Sequence, residues 1–156
     1  MCGVVKYPSH LRRTYADLAM DDPNPQFFET ERMQKLFAGD TSAIAIDLRR
    51  KDEQEIFGKA SFMQCVDDEE FDDAMKLETS EFQSKYGFSF PNPNDTIVLI
   101  CRTNRRALRV SLVLKEMGFS QVFVWKSGVK GLHDFDENIH FYESYEIGDE
   151  VPPVLL

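Results

Sequence analysis

The sequence predicts an α/β fold with a central, mostly parallel sheet flanked by helices, and three observations predict it. Apolar runs at 42–48, 96–101 and 121–125 are too short for core helices and have the continuous apolar character of strands buried on both faces. A longer stretch, 107–117, carries apolar residues at helical spacing between the second and third of these runs. Strands alternating with helices favour right-handed parallel crossovers. At 156 residues, 42% hydrophobic and 29% charged, the chain suits one domain.

The elements follow in order. The turn-rich stretch Asp21–Pro25 sets off an N-terminal arm, 1–24, from a domain over 25–136. From Gln26, residues Phe27, Phe28, Met33, Leu36 and Phe37 keep helical spacing up to Gly39. Ser42–Leu48 is a buried strand, a charged stretch follows, and Ala60–Val66 is a weaker strand candidate. Phe71, Met75, Leu77, Phe82 and Tyr86 predict two short helices joined near Thr79 and Ser80, which can cap the second. Thr96–Cys101 is the clearest strand and reads as central. A helix ended by Gly118, a strand at Gln121–Trp125 and a short helix at Val129–Phe135 complete the domain, leaving 137–156 as a peripheral tail with Pro152 and Pro153.

The net charge of −9 argues against nucleic acid or an anionic membrane as the main partner. The charge is unevenly spread. Six of the seven residues from Asp67 to Asp73 are acidic, read as a solvated face, while Arg102, Arg105, Arg106 and Arg109 fall within eight positions. Cys2, Cys65 and Cys101 form no C-x-x-C pair, so neither a disulfide framework nor a zinc ribbon is expected. His10, His133 and His140 lack ligand spacing, and no metal or other cofactor is implied. No apolar run approaches the roughly 18 residues of a membrane span. Arg12 and Arg13 hint at a mitochondrial presequence, but Asp17, Asp21 and Asp22 oppose it, and reduced cysteines point to the cytosol.

The chemistry concentrates at Cys101-Arg-Thr-Asn-Arg-Arg106, between the central strand and the following helix. Ligands of open α/β sheets bind at the carboxyl ends of the strands, and a helix N-terminus there offers N–H groups to anions. A cysteine so placed gains a positive field that favours thiolate, so its pKa is expected below the ordinary ~8.5. Arginines in a first helical turn oppose the dipole, which an anion bound there would offset.

These residues resemble the active-site loop of single-domain rhodaneses, with cysteine first and arginine last. Ile46-Asp47-Leu48-Arg49 is similar to the family's Asp-Val-Arg strand end, Asp67–Tyr86 to a helical insert, and Trp125–Gly128 to an aromatic followed by paired glycines. The resemblance spans about 26–135. Three departures stand out: Asn104 replaces the loop glycine and is expected to tolerate left-handed backbone, Ser127 replaces the first paired glycine, and Gly58-Lys59-Ala60 shortens a longer family stretch.

The resemblance implies a three-layer rhodanese-like domain in which Cys101 attacks thiosulfate or a related persulfide donor, becomes a persulfide and passes its sulfur to a small thiol or cyanide. It implies Arg102, Thr103, Asn104, Arg105 and Arg106 as substrate-binding residues, with Arg102 and Arg106 holding the sulfonate end. Asp47 and Arg49 are expected to form an ion pair beneath the loop. Cys65 reads as a core residue, with a resolving thiol as the lesser alternative. Two other functions stay open: a non-catalytic rhodanese-like interaction module, and a cysteine phosphatase or arsenate reductase. Those enzymes separate cysteine and arginine by one more residue, and here that position holds Ala107.

Overall fold

The computed structural model describes residues 21–141. Cys2, His10, Arg12, Arg13, Pro152 and Pro153 lie outside the described residues. Strands β1 (Ile44–Asp47), β2 (Gln64–Cys65), β3 (Ile97–Ile100) and β4 (Val122–Val124) form a parallel sheet in the order β2-β1-β3-β4. The helices are α1 (Thr30–Phe37), α2 (Lys51–Phe57), α3 (Asp68–Ala74), α4 (Thr79–Tyr86), α5 (Arg105–Glu116) and α6 (Gly128–His133).

Three layers follow from side-chain alternation along the strands. Ile97, Leu99 and Cys101 face a core shared with Phe71 of α3, Phe82 of α4 and Val110 and Leu114 of α5. Val98 and Ile100 face the opposite core with Met33 and Leu36 of α1 and Val129 and Leu132 of α6. All four residues of β3 are buried, as a central strand covered on both faces requires. Among the described residues, no helix is long and apolar enough to cross a membrane.

Several expectations need correction. Residues 26–28 do not begin the first helix: Phe28 N–H donates to Val124 O at 2.9 Å and Val124 N–H to Gln26 O at 2.8 Å, extending the sheet beyond β4. Phe28 is buried and Phe27 is 43% exposed, the alternation of a strand rather than a helix. The charged stretch after β1 forms α2, which apolar spacing did not reveal. The N-cap of α4 is Glu78, and neither Thr79 nor Ser80 caps it. Asp22, within the expected arm, is buried against α5, accepting from Ser111 Oγ at 2.8 Å and Lys115 Nζ at 2.9 Å. Ile139, within the expected tail, is buried in the core, and His140 N–H donates to Phe57 O at 2.6 Å.

The acidic cluster is not simply a solvated face. Asp68 and Asp72 are buried against Arg109 of α5, with Arg109 Nη2 at 2.7 Å from Asp68 Oδ1 and Nη1 at 3.4 Å from Asp72 Oδ2. Part of the basic knot therefore neutralises part of the acidic cluster inside the protein. Breaking a buried pair leaves an uncompensated charge. Arg109→Ala is expected to lower the unfolding free energy in urea by about 3 kcal/mol or more; a loss below about 0.5 kcal/mol would show the pair to be solvated.

Candidate active site

Cys101 follows β3 directly, and it is 1% exposed. The chain turns through 102–104 into α5, so the Cys101 sulfur lies just before the N-terminal turn of that helix. Burial pushes the thiol pKa up, while the Arg106 guanidinium and the backbone N–H groups of Ala107, Thr103 and Arg106 pull it down. The net direction is upward, which corrects the expectation of a lowered pKa. Desolvation of a thiolate in the sheet outweighs the positive field around it.

The loop arginines have separate placements. Arg106 makes a two-pronged pair with Glu53 of α2, Nη1 to Oε1 at 2.7 Å and Nη2 to Oε2 at 2.9 Å. Its guanidinium is therefore already engaged by a carboxylate, and its pKa is raised by Glu53 against the effect of burial. The same pairing keeps the buried Glu53 carboxyl below its ordinary range, although burial alone would raise it. Arg105 and Thr103 are exposed, and Arg102 is partly buried. Of the arginines assigned by sequence to the sulfonate, Arg106 faces Glu53 instead.

Asp47 and Arg49 form the expected ion pair at the carboxyl end of β1. Arg49 Nη2 lies 2.8 Å from Asp47 Oδ2 and donates to Gly58 O at 2.9 Å, with both side chains buried. Gln54 Nε2 also donates to Arg49 O at 3.0 Å. These bonds fix α2 against the sheet and so set where Glu53 can reach. Asp47 pairs with Ile100 in register, one residue before Cys101.

A second loop closes over the first. Trp125 N–H donates to Leu99 O at 3.0 Å and Trp125 Nε1 to Gly128 O at 2.8 Å. Val129 N–H donates to Arg102 O at 3.1 Å. Gly128 has a φ of 60° and lies so close to the Arg102 and Thr103 carbonyls that a Cβ would collide with both. The one residue of this turn that must be glycine is glycine. Ser127, with a φ of −81°, needs no such freedom.

A rhodanese-like domain model matches residues 29–134. This chain belongs to the rhodanese-like domain family. It is 35% identical over 81 residues to the Drosophila melanogaster "Rhodanese domain-containing protein CG4456", covering 52% of this chain and 73% of that protein. It is 32% identical over 102 residues to a Schizosaccharomyces pombe protein named "Putative thiosulfate sulfurtransferase, mitochondrial", covering 64% and 71%. The fold is shared with the human single-domain sulfurtransferase TSTD1 (TM-score 0.64, 18% identity, 71% of this chain and 97% of that one). It is also shared with the Saccharomyces cerevisiae single-domain sulfurtransferase RDL2 (TM-score 0.65, 14% identity, 77% and 98%).

Within this rhodanese-like domain, Asn104 also departs from expectation. Its φ is −149°, and no non-glycine described residue has a positive φ. With ψ at −1° the residue is neither extended nor left-handed, and the side chain donates through Nδ2 to Lys126 O at 3.0 Å. Cys65 sits at the edge strand β2, half-buried rather than in the core, and burial raises its pKa. Its partner in register is Asp47, which itself lies between β2 and β3, so a strand separates Cys65 from the Ile100–Cys101 strand end. Strand spacing of about 4.8 Å puts the two thiols beyond disulfide reach without backbone movement.

Glu53 is the site residue that sequence reading missed. The signal was present as Arg50-x-x-Glu53, in which the Glu53 carboxylate accepts from its own N-cap N–H at 3.2 Å. Glu53 tempers the positive field of Arg106 at the sulfur. Removing its charge should therefore favour thiolate. We expect alkylation of Cys101 by iodoacetamide, read on its own peptide, to have a midpoint above the ordinary ~8.5 in the native protein. Glu53→Gln should lower that midpoint by about one pH unit; an unchanged or higher midpoint would mean that Arg106 leaves the sulfur when its carboxylate is lost.

Proposed function

We propose that this protein is a sulfurtransferase that moves a sulfane sulfur from thiosulfate, or a related persulfide donor, to a thiophilic acceptor through a persulfide on Cys101. One observation carries the reading: a buried cysteine stands at the carboxyl end of the central strand, four residues before α5, where the N–H groups of Ala107, Thr103 and Arg106 favour its thiolate against burial. That is a cradle for a negatively charged sulfur, as an oxyanion hole is for oxygen. Membership of the rhodanese-like family supports the transferase class, and the fission-yeast relative's name supports thiosulfate as the donor.

In the first step the Cys101 thiolate attacks the outer sulfur of thiosulfate. A sulfur–sulfur bond forms to Cys101, the one within thiosulfate breaks, and sulfite leaves with the electron pair. The terminal persulfide sulfur is then taken by cyanide or by a thiolate, which regenerates the Cys101 thiolate. Neither step needs a cofactor or an external oxidant. The exposed Arg105 and Thr103 and the partly buried Arg102 line the loop's outer side, where the sulfonate end of the doubly charged donor would lie. Arg106 acts through its charge on the sulfur, and Asp47 and Arg49 act by holding α2.

The raised thiol pKa favours one second reading, a rhodanese-like interaction module without turnover. Incubation of the purified protein with thiosulfate followed by mass spectrometry separates the two. We expect one added sulfur on the wild type and none on Cys101→Ser; an unmodified wild type would leave the module reading. Hydrolysis of an aryl phosphate in place of sulfur transfer would support a phosphatase. Arg102→Gly should raise the KM for thiosulfate about tenfold with kcat nearly unchanged, as loss of uniform binding predicts. A fall confined to kcat would remove Arg102 from substrate binding.

A further inference from the structure

We propose that Asn104 is a positioning residue of the sulfur site: bonded to the Lys126 carbonyl, its side chain is held away from the start of α5, which leaves the Arg106 and Ala107 N–H groups to the Cys101 sulfur. The inference rests on Cys101 being the reacting thiol and concerns what keeps its hydrogen-bond donors available.

Asparagine is among the strongest N-cap residues, and an N-cap side chain accepts from the N–H of the second or third helical residue. In α5, with Arg105 first, those residues are Arg106 and Ala107. They are two of the three residues whose backbone N–H groups favour the thiolate of Cys101, which ends the strand just before this helix. A capping side chain and the sulfur therefore compete for the same donors. Asp67 shows the usual outcome at the start of α3, where its carboxylate accepts from Glu69 N–H at 2.9 Å. Asn104 occupies the equivalent position of α5 and makes no cap bond; it donates instead to Lys126 O at 3.0 Å.

The Lys126 carbonyl can hold it there because its own turn is fixed on both sides. Trp125 is tied to Leu99 before it, and Val129 to Arg102 after it, while Gly128 lies against the active-site loop. Of the common capping residues, asparagine carries both the acceptor that would cap and an amide donor that can be drawn away from capping. Serine and aspartate offer the acceptor without that amide. They should turn toward the helix and take the donors from the sulfur.

The test compares Asn104→Ser, Asn104→Asp and Asn104→Gly by the pH dependence of Cys101 alkylation and by melting temperature. Serine and aspartate should each shift the midpoint upward by about one pH unit relative to glycine. Aspartate should be highest, because its charge adds to the lost hydrogen bond. Both should melt above the glycine variant, the sign that a cap has formed. A serine variant that melts higher yet shares the glycine midpoint would overturn the proposal, as would a shift seen with aspartate alone. In the wild type, the amide resonances of Arg106 and Ala107 should move with the Cys101 titration, and their failure to do so would overturn it even if a variant did not fold. Persulfide mass is read separately, so its absence would remove sulfur transfer while leaving the ordering of midpoints to judge Asn104.

Discussion

A charge cannot be sealed inside a sheet without donors to meet it. That constraint governs this molecule. The strand that gives the fold its centre also delivers Cys101, and the burial that makes the strand stable disfavours the thiolate that the proposed chemistry needs. The opposing contributions come from the end of one helix and from one guanidinium. Each requires its own support. α5 must begin immediately after the loop, Arg106 must be held near the sulfur, and the turn at 125–128 must press the loop into place. Glu53, the Asp47–Arg49 pair and Gly128 supply those supports, so residues far apart in the chain serve one atom.

The distribution of charge follows the same logic. A net charge of −9 opposes polyanions on average, yet it says little about the site. Within the domain, Arg109 is neutralised by Asp68 and Asp72, and Arg106 by Glu53. Of the arginines that looked like one cluster, Arg106 and Arg109 meet carboxylates within the domain, while Arg102 and Arg105 flank the loop that follows Cys101. With a Debye length of about 8–10 Å, the latter two are what a small anion approaching the loop senses most strongly.

Strands β1, β3 and β4 were legible because apolar, largely β-branched runs have few alternatives, and Cys101 was legible because it ends one of them. The Asp47–Arg49 pair was legible from a local pattern. What stayed hidden depends on contacts distant in sequence. α2 lacks an apolar stripe and is held by Arg49 and Gln54 rather than by hydrophobic spacing. Arg106–Glu53 and Arg109–Asp68 join residues on separate helices, so each partner alone reads as a surface charge. The sign of the Cys101 shift was misjudged because sequence displays the positive neighbours but not the depth of burial. The segment at 26–28 was misread because its strand partner, Val124, lies nearly a hundred residues away.

The packing of residues 136–141 has a consequence for the order in which the protein matures. Gly58, whose carbonyl receives Arg49, is approached closely by the Asn138 carbonyl, and His140 is bonded to Phe57. The support beneath the loop is thus enclosed by a segment translated after every strand of the sheet. On a ribosome releasing about 5–20 residues per second, the sheet can assemble before that enclosure arrives. Cys101 enters the nascent chain before the segment that completes its surroundings.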